Sequence, residues 1–514
     1  MSLIFKIRFT SSKTYLLLFL TFTALFGCKT GYDEYWPKEN PKTGFIYDKL
    51  KNNPEFTIFA AGLERAGLVK FVNVSGLYTV FAPTNDAFQK FFKTKGYNSI
   101  NDVPVSNLFS VLSFHIANNM WYYYDFRTRY TTSQKTAYLT RSNKFLQIDA
   151  SSATVFTVNG IPILSNLRDI DAENGVIHGI GEVLIPLSNI EQVLTNDTDF
   201  ANSTFYKLMQ VLASKQYDRF NSYDVDNDGK IDSIFNKTYA LLQNVHTSIE
   251  YVTNTAPESQ GGDPVFTTFL FPTNTVLDAA LAPILPNFAG DIKKLPRSYV
   301  EALLESYFIK ERKVSSTELI ARPTEIKSIN DEVIPALSND KFIRKDVEGS
   351  NGVIHSINVL FPASDRLKSS IGTIMTNPEL TDFVEAIQGM DLLTAYAATT
   401  KAVTFMAPTN AAFLDAGLDV RKKTLNGVQL TNAQFTNIIK HHIISSNLAK
   451  SALTGSKTTD YASNPLVFLS TGSVVTVTSS GGKVATVGDE YRGATGVTNG
   501  YVYKVETVLI PASY

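Results

Sequence analysis

The chain has 514 residues, 44% of them hydrophobic and 18% charged, with a formal net charge of −1. That apolar content gives each third of the chain enough to bury a core of ordinary domain size, and the near-neutral balance excludes the basic footprint of a nucleic-acid binder. Cys28 is the only cysteine, which excludes any disulfide within the chain.

Lys6, Arg8 and Lys13 precede an apolar stretch from Tyr15 to Phe26. The stretch is too short to cross a bilayer and suits the hydrophobic region of a signal peptide. Leu25-Phe26-Gly27-Cys28 resembles a bacterial lipobox, so residues 1–27 are expected to be removed and Cys28 to carry lipid. Loss of the three cations shifts the formal charge from −1 to −4. Residues 28–44, with Gly31, Pro37, Pro41 and Gly44, read as a tether. Asp33-Glu34 resembles the acidic signal that sends some outer-membrane lipoproteins to the cell surface, so the expected location is the outer membrane, facing outward.

Beyond residue 45 the chain repeats itself. Val80-Phe81-Ala82-Pro83-Thr84-Asn85 recurs as Phe269-Leu270-Phe271-Pro272-Thr273-Asn274 and as Phe405-Met406-Ala407-Pro408-Thr409-Asn410. Each is followed by a closing mark: Asn174-Gly175-Val176-Ile177-His178, Asn351-Gly352-Val353-Ile354-His355 and Asn499-Gly500-Tyr501-Val502-Tyr503. The Asn-to-Asn separations are 89, 77 and 89 residues, so the unit is a module present three times. The first mark reads as a strand stopped by Pro83, with Thr84 or Asn85 capping a helix whose Phe88, Phe91 and Phe92 face a core. Asn174-Gly175 is expected to supply the positive φ angles of a tight turn into a strand on which Val176, His178 and Ile180 alternate.

These paired blocks resemble fasciclin domains, a family of extracellular adhesion modules. The resemblance implies an α+β fold of three tandem domains, 45–187, 188–365 and 366–514, each a wedge-shaped β-sandwich flanked by helices with its own core. It also implies partner binding without a catalytic centre. Integrin-binding members use a Tyr-His pair on a mid-domain helix and an Asp-Ile before the closing Asn-Gly. Here the helix pairs are Phe114-His115, Tyr307-Phe308 and His441-His442. Asp169-Ile170 and Asp346-Val347 stand at the second position, against Arg492-Gly493 in the last repeat. These residues read as structural.

In the first repeat, Trp121-Tyr122-Tyr123-Tyr124-Asp125-Phe126-Arg127-Thr128-Arg129-Tyr130 reads as a strand. Trp121, Tyr123 and Arg127 would share one side, either as a platform for sugar rings or as core packing. The histidines His115 and His178 align with Phe308 and His355 in the second repeat, and with His442 and Tyr503 in the third. Positions that become Phe or Tyr in sister copies suit a ring bonded to the backbone better than a base or metal ligand. The second repeat carries an insertion of 42 residues containing Asp224, Asp226, Asp228, Lys230 and Asp232. Carboxylates at loop positions 1, 3, 5 and 9, with the Lys230 carbonyl, make a weak calcium loop or else a polar turn; the twelfth position is Phe235 instead of a bidentate Glu.

The sequence thus points to a non-enzymatic surface lipoprotein for adhesion or ligand binding, held to the membrane by lipid and partnered by a glycan or protein. The alternative is an accessory glycan-binding component of an outer-membrane polysaccharide uptake system.

Overall fold

Each Pro-Thr-Asn mark ends a central strand: Tyr78–Pro83, Thr267–Pro272 and Val403–Pro408. The computed structural model describes residues 44–514 apart from 131–133, 136–139, 153, 220–221, 223–229, 232, 234, 244, 250, 253–263, 311, 391, 399, 462–463 and 492–498. Every central strand runs parallel to its closing strand, Gly175–Ile180, Gly352–Ile357 or Gly500–Val505, over six residue pairs. These strands are apolar almost throughout because both faces are covered. A short antiparallel strand flanks the opening strand in each copy: Ile116–Asn118, Phe308–Lys310 and Ile443–Ile444. Ile170–Ala172 and Phe342–Gly349 flank the closing strand in the first two copies; in the third, among the described residues, Glu490 bridges to Tyr503.

Thr84 Oγ1 accepts the Ala87 N–H and caps the helix Asn85–Lys95, and Thr409 does the same for Asn410–Asp415. Phe88 and Phe92 are buried along the first of these, with Phe91 half-buried beside them. The asparagine of the mark has a different task from the cap. The Oδ1 atoms of Asn85, Asn274 and Asn410 accept the N–H groups of Ile58, Thr204 and Asp382, tying the corner to an earlier helix.

The closing turn departs from expectation. None of Gly175, Gly352 and Gly500 has a positive φ. A Cβ at these positions would instead lie 2.1, 2.4 and 1.7 Å from the carbonyl oxygens of Tyr78, Thr267 and Val403. Glycine is required because the opening strand's backbone comes too close for any side chain.

A second sheet carries Gln147–Asp149, Thr157–Val158 and Ile161–Pro162 in the first repeat, and Gly455–Lys457, Leu466–Thr471, Val474–Thr478 and Val484–Thr486 in the third. Among the described residues, 188–365 lacks this sheet and holds instead an antiparallel trio, Ser214–Tyr217, Phe235–Tyr239 and Val245–His246.

The chain divides into two compact units, one of residues up to 184 apart from 135–139 and 143–145, the other of 185–514 with those two segments. The first unit's core gathers Ile46, Phe59, Leu63, Phe88, Leu112 and Ile177. In the second, the core runs unbroken from the second repeat into the third, unlike the separate cores expected. The helix Arg297–Leu304 packs against Asp365–Lys368, Ser370–Met375 and Thr381–Gln388. Arg366 joins this contact, 3.0 Å from Glu301 and 3.6 Å from Glu305.

Candidate functional site

The rings that invite a catalytic reading are committed to the backbone. His115 Nε2 accepts the Leu184 N–H at 2.9 Å, which leaves Nδ1–H to donate to the Val111 carbonyl at 2.9 Å. His442 does the same with Leu509 at 2.8 Å and Ile438 at 2.9 Å. Strand register pairs Thr79 with Ala117, Thr268 with Ile309 and Thr404 with Ile444. The residue matching these histidines in the second repeat is therefore Tyr307, not Phe308. Its hydroxyl accepts the Phe361 N–H at 2.8 Å, the equivalent bond. Burial pushes His115 down to about 4 and His442 to about 3, so both rings stay neutral in ordinary solution.

The second ring position follows the same logic. Thr79 donates its hydroxyl to the Asn119 carbonyl and accepts the Trp121 N–H; Thr268 bridges Arg312 and Val314, and Thr404 bridges Ser446 and Leu448. The carbonyl of the second partner then receives the closing-strand ring, from His178 to Trp121 at 2.9 Å, His355 to Val314 at 2.8 Å and Tyr503 to Leu448 at 3.0 Å. Tyr replaces His because only a donor at the ring's tip is needed. The other nitrogens, Nδ1 of His178 and His355, accept the N–H groups of Asp169 and Asp346, which sit at φ 55° and 51°. Those aspartates in turn accept the N–H groups of Tyr123 and Ser316 at the starts of two helices. Asp169 and Asp346 thus hold helices in place.

The stretch expected as a strand is a helix, Tyr123–Arg129. Asp125 accepts the Tyr122 N–H and Asp169 the Tyr123 N–H, so two adjacent donors at the helix start are satisfied. Trp121 precedes the helix and is 3% exposed, its ring 5.4 Å from Phe126 and 6.2 Å from Tyr130. It is a core residue and offers no face to a sugar. Tyr123 and Arg127 do come together, with the Arg127 guanidinium 5.9 Å from the Tyr123 ring centroid. Arg168, absent from the sequence reading, lies closer at 3.8 Å. Its signal was its place beside Asp169, which caps the Tyr123 turn.

Of the loop residues, Asp224, Asp226, Asp228 and Asp232 lie outside the described residues, as does Cys28; Lys230 is described. Their segment, 218–234, links the paired strands Ser214–Tyr217 and Phe235–Tyr239. Phe235 opens the second strand and packs on Tyr217 at 5.6 Å. Among the described residues no group of three or more His, Cys, Asp or Glu could hold a metal ion, and no helix is long and apolar enough to cross a membrane.

The central parallel pair, its flanking helices and the shared backbone wiring define a mixed α+β module. A family model for the fasciclin domain matches residues 54–186 and 378–511, and the chain belongs to that family. It is 33% identical over 156 residues to transforming growth factor-beta-induced protein ig-h3 of Sus scrofa, covering 30% of this chain and 21% of that protein. It is 28% identical over 141 residues to protein sll1483 of Synechocystis sp., covering 27% of this chain and 73% of that one. Periostin of Homo sapiens matches at 28% over 141 residues, covering 27% and 16%. The chain thus spans about a fifth of the length of ig-h3. A solved FAS1 domain pair from the insect cell adhesion molecule fasciclin I aligns over 60% of this chain and 97% of that chain, with 16% identity and a TM-score of 0.24.

Proposed function

We propose that residues 188–365 are a third fasciclin module and that the protein is a non-enzymatic surface lipoprotein, anchored in the outer membrane through Cys28, that binds a glycan or protein through its modules. The observation that carries this is the wiring. The closing asparagines Asn174, Asn351 and Asn499 accept the N–H groups of Ile46, Ile190 and Ser370 in all three repeats. The glycine contact, the threonine bridge and the ring bonds recur with them. In this reading the first and third modules close as wedge-shaped sandwiches between the central and second sheets. The buried rings are structural in every copy, leaving the exterior for recognition.

A glycan-binding role within an uptake complex is favoured by one observation, Tyr123 stacked against Arg168 with Arg127 alongside. An aromatic face with guanidinium donors suits a sugar ring. Calcium is the proposed cofactor, held in the 218–234 loop and stiffening it.

The test combines protease treatment of intact cells, mass spectrometry of the N-terminal peptide and a panel of glycans and matrix proteins probed with the mature chain. Acyl chains on Cys28, surface cleavage and at least one saturable ligand are expected. An unlipidated N-terminus elsewhere, or a chain inaccessible on intact cells, overturns the anchored reading.

A further inference from the structure

In the second repeat the helix Thr204–Leu212 and the segment 290–297 enclose a cavity of about 700 Å³ that lies apart from every residue assigned above. Its floor is apolar: Leu295 is buried, and Val211 and Ile292 are half-buried. At its rim stand two exposed ammonium groups, Lys207 and Lys293, and neither has a carboxylate within ion-pair distance among the described residues. Arg297 also lines the wall, but its guanidinium is committed to the carbonyls of Val211 and Leu212 at 2.9 and 3.0 Å. Asp291 is the acidic member of the lining, and it is occupied in accepting the Lys293 backbone N–H at 2.9 Å. Three cations against one anion leave the mouth positive.

The sister repeats make this face particular to the second module. Ile58, Thr204 and Asp382 occupy one position, since each gives its N–H to the asparagine of its own mark. Lys207 therefore corresponds to Ala61 and Glu385, and Glu385 is neutralised by Arg421 at 3.0 Å. Among the described residues, the third copy's cavity on this face is lined by Asp382, Asp419 and Arg421, whereas the second copy sets Lys207 and Lys293 over an apolar hollow of the size that small ligands fill.

We infer that this cavity binds an anionic amphiphile, a carboxylate or sulfonate on an apolar body. The head sits between Lys207 and Lys293, and the body lies on Val211, Ile292 and Leu295. The compact lysine charge is suited to a small anion, and the floor removes the attached apolar surface from water.

The experiment follows 8-anilinonaphthalene-1-sulfonate fluorescence with the full chain and its displacement by dodecanoate. One saturable site per chain is expected, with dodecanoate competing. The Lys207→Glu/Lys293→Glu double variant should bind at least about tenfold more weakly at an unchanged melting temperature. Val211→Asp should weaken binding from the floor side while both lysines remain. Unchanged affinity in the double variant overturns the proposal. So does competition by inorganic phosphate as strong as that of dodecanoate, or by dodecanol, because either removes one half of the recognition.

Discussion

His115, Tyr307 and His442 show how little a buried ring must do to be retained. Each supplies one acceptor to an N–H that leaves a closing strand, and an N–H buried without an acceptor costs about 1–3 kcal/mol. Tyr307→Phe should lower stability by about that amount, because the Phe361 N–H loses its partner while the packing stays. Tyr307→His should lose less, since histidine performs this task in both sister copies. Urea unfolding of the three proteins is the measurement, and a Tyr307→Phe variant as stable as the parent rejects the assignment. The two histidines set an acid limb. Their pKa values lie below the ordinary 6.5, at about 4 and 3, so the unfolded chain binds the proton first. Their stabilising contribution is complete above pH 6.5 and is lost as pH falls through 4 and then 3. His442→Tyr, which keeps an acceptor and removes the titration, should flatten that limb in melting curves taken between pH 7 and 3.

At the scale of elements, the strands at the two marks were legible in advance because the marks recurred at nearly constant separation, whereas their parallel pairing was not. What was not legible depended on partners distant in sequence. The helix Tyr123–Arg129 is secured by Asp169, 46 positions away, so its local aromatic alternation pointed to a strand. Tyr307 was displaced by one place because residue type alone aligned His115 with Phe308, and only strand register separates the two. The closing glycines looked like turn residues because the carbonyl oxygens they meet belong to strands far upstream. Gly500→Ala should therefore be severe, by more than about 4 kcal/mol or by failure to fold, since backbone lies where the methyl must go. Gly472→Ala, at φ 61° with open space around it, should cost only about 1 kcal/mol by strain. Differential scanning calorimetry of both variants checks the contrast, and comparable losses refute it. The Asp-rich segment 218–234 offers a further measurement. Millimolar calcium should stabilise the full chain and raise its melting temperature relative to chelator, the stabilisation reaching about 2.7 kcal/mol where calcium stands at a hundred times its dissociation constant. The Asp226→Ala/Asp228→Ala variant should show no rise, and identical curves for the parent with and without calcium leave only a polar turn.

At the scale of the molecule, the core that runs on from the second repeat into the third is expected to make residues 188–514 unfold as one body. A single calorimetric transition is expected for that region, and two separable transitions within it refute the shared core. Glu305 sits in the joint beside Arg366, and burial pushes it up to about 7, against the lowering effect of Arg366. A carboxyl raised in the fold binds its proton before the unfolded chain does, so stability falls as pH rises from 4.5 through 7. Glu305→Gln should remove that slope in melting curves between pH 5 and 8. The wiring has a mechanical meaning too. In the first module the chain comes in at Ile46, whose N–H is held by Asn174 at the head of the closing strand, and it leaves beyond Ile180 at that strand's far end. Tension between those points runs along the strand, a distance of about 20 Å. It loads the six parallel pairs in shear, so they must give way together instead of unzipping one by one. Pulled at those two points, the first module would then resist as a stiff link that yields abruptly.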